Sequence, residues 1–407
     1  MSTIVTYEGC IDECITVFLD RFYEYATSPD DELMDMGHWF LCYAADTISM
    51  ISWSKRLGFL DRGDDQEGLL RSMHDSLLFS SLVGIYAWAY KPIAFILIGL
   101  SKFGFRTLRG ILALLDFVND AVVRRQLNRQ AAVKPPAANS EDSPRDFLNK
   151  CLDSEEQDPG FTTAYTLSVL GGNVVAGADT TASSLSGIFY YLLKYPATLE
   201  RLRNEIDEAW RLGKLSSPTT FHEAQALPYL QAVIQEGLRI HPAVGLTLPR
   251  VVPEGGAHIS GQYFPQGTEV GVCAWVIHRS DLFGSDAGSF RPERWLEASE
   301  ETLVLMRRLW MPFGGGSRTC IGKHISLLEM NKLIPEILRR YDLELSPELQ
   351  DRDWQTKNHW FVVPQNLKLK IRQRIFTNQA HAKIEDRSDS TNASGSGDVT
   401  RRVTWRG

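Results

Sequence analysis

The chain has 407 residues, 43% of them hydrophobic and 23% charged, with a net charge of −7. That length holds a large core or two domains, and the negative balance argues against nucleic acid as a partner. Six cysteines (10, 14, 42, 151, 273 and 320) include no CxxC pair and no regular framework, which fits free thiols in a reducing compartment. No H-E-x-x-H, Walker A or G-x-S-x-G motif occurs.

The first residues, Met1 to Glu8, read as neither a signal peptide nor a membrane anchor. Residues 8–27 show helical spacing through Ile11, Cys14, Ile15, Phe18, Leu19 and Phe22. Met34 to Trp53 reads as a second helix and Leu69 to Phe79 as a third. The run Leu77 to Leu100 is apolar and about long enough to span a bilayer. Lys91-Pro92 interrupts it with a charge and a helix breaker, so the expectation is a buried helix pair or a patch against a membrane surface. A helix follows from about Arg106 to Gln130, then a polar, Pro-rich loop over 131–145.

Thr163 to Leu193 is the longest periodic segment, and Pro196 stops it. It is apolar or small on nearly every face, so it is expected to be a buried central helix. Its middle reads Ala176-Gly177-Ala178-Asp179-Thr180-Thr181. A carboxylate and hydroxyls there are poor choices for stability. Thr180 hydrogen-bonding its own helix and a solvated Asp179 is the bland explanation. A buried Asp179, however, needs a partner or a purpose.

A helix at Ala197–Leu212 precedes Leu227–Pro242, where Glu236 and Arg239 stand three apart on one helix face. Residues 244–277 alternate around Gly and Pro turns, as a small sheet does. Phe290 to Trp295 follows, containing Arg294. Pro312 to Gly322 reads as a tight glycine loop that delivers Cys320 to the start of a helix over Ile321–Leu338. A thiolate is favoured there by the helix dipole and free N–H groups. Arg318 lies two residues earlier, ready for an anionic group. Residues 341–374 read as further strands. Residues 376–407 form a Ser-, Asn- and Gly-rich tail, expected to be disordered; its Asn392-Ala393-Ser394 sequon would be silent if it faces the cytosol.

Four motifs, Ala176–Thr181, Glu236–Arg239, Phe290–Trp295 and Phe313–Gly322, stand in the order found in the cytochrome P-450 family, which the chain resembles over most of its length. The overall look is that of the fungal secondary-metabolism type. The resemblance implies a mainly α fold with small β-sheets, a catalytic domain over 1–375, and haem b as cofactor. It implies Cys320 as the proximal thiolate on iron, whose electron push favours O–O cleavage. Phe313 and Gly322 complete the haem loop, and Arg250 and Arg318 hold the propionates. Asp179 and Thr180 handle protons, and Gly177 opens a groove over the haem. Glu236, Arg239 and Arg294 form a structural charge network. Val244–Leu248 and His359–Phe361 wall the substrate pocket.

The implied reaction is monooxygenation of an apolar small molecule with O₂. Electrons come from NADPH through a separate reductase, since the chain carries no flavin or nicotinamide fingerprint. The implied location is the cytosolic face of the endoplasmic reticulum. One departure stands out. Family members begin with an anchor, further helices and strands, and a Trp-x-x-x-Arg helix that clamps propionates, and this chain starts beyond them. It therefore reads as an N-terminally shortened enzyme or as a non-catalytic remnant of one. An isomerase or dehydratase on the same fold is disfavoured by Asp179-Thr180.

Overall fold

The central helix runs Thr163–Lys194, and its C-terminal half is buried on almost every side. The structure, a computed structural model, describes residues 2–65, 68–101, 109–131 and 146–374. Helix Met36–Trp53 packs along the central helix and is itself buried nearly all round. That is the consequence of two sequences with no wide polar face. Asp46, within the second of these helices, is also buried. Its carboxylate accepts hydrogen bonds from the backbone N–H groups of Gly58 (2.8 Å), Phe59 (3.3 Å) and Leu60 (2.9 Å). It thereby satisfies the start of the short helix Phe59–Arg62, whose donors would otherwise be orphaned.

Helix Glu8–Thr27 buries the same six residues that its spacing singled out. It packs on Met36–Trp53 and on the long helix Lys323–Arg340. The buried ammonium of Lys332 fixes that second contact, lying 2.9 Å from both Glu8 and Asp12.

The expected helix from Met34 begins at Met36 instead. Met34 and Asp35 form a strand, because Leu369 and Lys368 offer a sheet edge to pair with. Strand Lys368–Gln373 lies between this strand and Tyr341–Leu345, antiparallel to both. Gln355–His359 and Phe361–Gln365 form a separate hairpin. The sheet expected over 244–277 is two separate ladders: Arg250–Val251 with Glu269–Val270, and Ala257–Ile259 with Gln262–Phe264.

The apolar stretch Leu77–Leu100 departs from one expectation. It folds as helix Leu69–Val83, a tight turn, and helix Ala87–Ser101 with Pro92 inside it. The pair is not buried, for Trp88 is 81% exposed and Phe95 79%. No helix of the described residues is long and apolar enough to cross a membrane. The 132–145 loop and the tail from 375 onward, with the sequon, lie outside the described residues.

Candidate active site

Cys320 sits in a loop whose shape follows from its glycines. Gly314 and Gly316 have φ of +70° and +65°, angles that a side chain would strain. The loop closes on itself through a hydrogen bond from the Cys320 N–H to the Phe313 carbonyl, 2.9 Å. The helix expected from Ile321 starts two residues later, at Lys323, with Gly322 as its cap. Cys320 is exposed, and the Ile321 side chain beside it is 96% exposed. The ammonium of Lys323 lies over the Phe313 and Trp310 rings, 5.9 and 5.8 Å from their centres.

Two contacts tie this loop and its helix to the elements facing it, through Ser326 and Gly314, and two more join those facing elements to one another. Thr181 Oγ1, on the central helix, donates to Ser326 Oγ at 3.1 Å. Ser183 Oγ donates to the Val362 carbonyl at 2.7 Å. Val244 bridges to Phe361, so the two segments expected to wall a pocket are joined by backbone pairing. Leu248 Cδ1 would lie 3.6 Å from a Cβ placed on Gly314.

Along the central helix, Val169, Gly172 and Ala176 are exposed and Thr180 is partly so, one turn apart. A Cβ on Gly172 would meet nothing within 4 Å, whereas one on Gly177 would come 3.1 Å from Ile48. The exposed stripe of the central helix therefore lies at Gly172 and Ala176. Gly177 instead lets helix Met36–Trp53 approach, which corrects the role inferred for it.

The Asp179–Thr180 pair divides. Thr180 Oγ1 donates to the Ala176 carbonyl of its own helix at 2.7 Å, the bland arrangement. Asp179 does not face solvent. Its side chain is 3% exposed, and Oδ1 lies 2.8 Å from Nε2 of His74. Sequence reading missed His74, which stands 105 residues away with no local signature.

The charge network is buried. Glu236, Arg239 and Arg294 are at most 2% exposed. Glu236 accepts from Arg239 Nε and Nη2 (both 2.8 Å), Arg294 Nε (2.9 Å), Trp295 Nε1 (2.9 Å) and the Arg291 N–H (2.9 Å). The remaining Arg239 donors reach the carbonyls of His278, Ala287 and Ser289, so all five guanidinium N–H groups are used. Arg294 also pairs with Asp286 at 3.0 Å. Arg291, then Arg294, hold the Asp286 pKa down at about 2.

His278 connects this network to the cysteine loop. Its Nδ1–H donates to the Arg239 carbonyl, and its Nε2 accepts from the Met311 N–H, both at 2.9 Å. Those partners require the neutral ring. Burial, aided by the Arg239 and Arg279 charges, pushes its pKa down to about 4. Nothing in the spacing of the sequence pointed to His278, Asp286 or the indole of Trp295.

The residues present suit haem, a flat apolar macrocycle with two carboxylates. An accessible thiol lies beside an exposed isoleucine, where a hydrophobic face can settle. Two guanidinium groups lack a carboxylate partner among the described residues. Arg250 donates only to the Leu248 and Pro249 carbonyls (3.3 and 2.9 Å), and Arg318 is exposed.

The sequence profile of the family described as "Cytochrome P450" matches residues 1–371. The chain is similar to the cytochrome P450 monooxygenase ACRTS1 of Alternaria alternata, 34% identical over 376 residues, covering 92% of this chain and 96% of the relative. It is also similar to a pisatin demethylase of Fusarium vanettenii, 35% identical over 370 residues, covering 90% of this chain and 67% of the relative. The cytochrome P450 monooxygenase cicH of Emericella nidulans is 35% identical over 381 residues, with 92% and 72% covered.

Proposed function

The chain belongs to the cytochrome P450 family of haem-binding monooxygenases, and we propose that it oxidises an apolar small molecule of fungal secondary metabolism with electrons that a separate reductase draws from NADPH. The observation that carries this reading is the exposed Cys320 thiol, held in a glycine loop at a helix start, with the Arg250 and Arg318 guanidinium groups lacking a carboxylate partner among the described residues. Relatives named for pisatin and other fungal monooxygenases support the substrate class. Bound haem supplies the redox iron that activates O₂. Cys320 would hold that iron through sulfur, in the loop formed by Phe313–Gly322. Arg250 and Arg318 would neutralise its carboxylates with charge-assisted hydrogen bonds. Glu236, Arg239 and Arg294 hold the loop in place through His278 and Trp295. Val244–Leu248 and His359–Phe361 exclude water from the substrate side.

Asp179 and Thr180 manage protons. The Thr180 hydroxyl lies beside the exposed stripe and can pivot from the Ala176 carbonyl towards a ligand on it. Thr180→Ala is expected to keep haem and substrate binding but to lower product formed per NADPH several-fold, the balance appearing as hydrogen peroxide. An unchanged ratio removes Thr180 from the proton path.

The exposed face around Leu82, Ile85, Trp88, Phe95 and Ile96 is apolar enough to settle in a membrane interface, with Lys91 set to meet anionic headgroups. We assign it to the cytosolic surface of the endoplasmic reticulum. Wild-type protein is expected to sediment with phosphatidylcholine–phosphatidylserine vesicles, and a Trp88→Asp/Phe95→Asp variant is not. Equal sedimentation of both removes the contact.

A further inference from the structure

We propose that His74 is the proton port of Asp179, passing protons from solvent to a carboxylate that cannot reach water by itself. The proposal rests on the monooxygenase reading above. Its basis is the geometry of the pair. Asp179 is 3% exposed and its Oδ2 has no hydrogen-bond partner among the described residues. Its Oδ1 is held by His74 Nε2 at 2.8 Å. The His74 side chain is 34% exposed, and among the described residues its ring has no hydrogen bond except the one to Asp179.

A buried carboxylate that gives up a proton must regain one, and here the imidazole is its route. A proton taken from water at Nδ1 is matched by one released from Nε2 to Oδ1, so the ring ends as the other neutral tautomer and resets by turning over. Oδ2 is free to face the Thr180 side as Asp179 turns on its Cα–Cβ bond.

The electrostatics agree with the geometry. Burial lowers the His74 pKa, but the hydrogen bond and charge of Asp179 outweigh it, with help from Asp75 and Asp65, and the net shift is upward. The elements packed on the same helix carry Asp116, Asp120, Arg124 and Arg125 on Arg109–Ala131 and Lys357 and His359 on the hairpin. None of these hydrogen-bonds the ring. The imidazolium therefore persists to higher pH than that of an unpaired histidine, and proton supply declines as pH rises through the raised pKa.

The test combines a titration with a coupling measurement on the haem-loaded protein. In the diamagnetic reduced carbonyl form, His74 is followed by ¹³C-histidine NMR and assigned through His74→Gln. Asp179→Asn is expected to lower its midpoint; a midpoint that does not move overturns the pairing. Product per NADPH is then measured against pH. Glutamine can still donate to Asp179 but cannot titrate. His74→Gln is therefore expected to lose several-fold in coupling at low pH and to flatten the profile, with substrate affinity unchanged. If His74→Gln keeps the wild-type ratio and profile, His74 only orients Asp179 and the port is wrong. The carbonyl spectrum separates the two readings. Wild-type protein without the thiolate band defeats the monooxygenase reading and the port with it, whereas a normal band with an active Gln variant defeats the port alone.

Discussion

Replacing Cys320 by alanine is expected to abolish the strongly red-shifted Soret band of the reduced carbonyl complex and, with it, substrate oxidation. The thiol is exposed, and its N–H is already used by the Phe313 carbonyl. The positive φ of Gly314 and Gly316 is unaffected by the substitution, so the loop retains its shape and the loss reads the ligand rather than the fold. A methyl group offers iron no electron pair, and the push that thiolate gives disappears. The measurement is the difference spectrum of reduced protein with and without carbon monoxide. A variant that keeps the band places the ligand elsewhere, and a wild type that never shows it when given haem removes thiolate ligation.

Glu236→Ala is expected to leave little soluble, haem-loaded protein. The carboxylate accepts five hydrogen bonds from Arg239, Arg294, Trp295 and the Arg291 backbone. Without it, two guanidinium groups remain in a site where Glu236 and Arg239 are each 0% exposed. Breaking one side of a buried ion pair costs about 3–5 kcal/mol, against roughly 5–15 kcal/mol for a whole domain. The damage reaches the cysteine loop, because Arg239 and Met311 share His278. Yield of holoprotein and the urea midpoint of what remains are the readouts. Normal yield at an unchanged midpoint means that the pair contributes nothing.

Some of this molecule is written locally. The six buried positions of Glu8–Thr27 follow from a 3.6-residue period, and Gly314 and Gly316 announce a backbone that only glycine adopts without strain. The apolar or small character of Thr163–Leu193 implied a central, buried helix, which holds for its C-terminal half, while Tyr165, Val169, Gly172 and Ala176 in its first half are exposed. The order of the four motifs carried the family, and with it the proposal that Cys320 is the thiolate.

Other features depend on chain segments meeting across long separations. Two helices of similar periodicity met different fates: Met36–Trp53 was covered by the central helix, while Ala87–Ser101 kept Trp88 and Phe95 exposed. Periodicity reports which face is apolar, not what packs against it. Glu236 and Arg239 stood three apart in the sequence, but their burial is decided by Arg294 and Trp295, 58 and 59 residues on. Gly177 looked like an opening over a ligand and proved to be a close approach to Ile48. A missing side chain can admit a ligand or a neighbouring helix, and only packing distinguishes the two. The sequence by itself determined the glycine loop that carries Cys320, the helix faces and the family. The tertiary structure alone decided that Asp179 is buried against His74 and that His278 joins the charge network to the loop. Hydrogen bonds and desolvation depend on distance in space, and residues 105 apart carry no periodic trace of their contact.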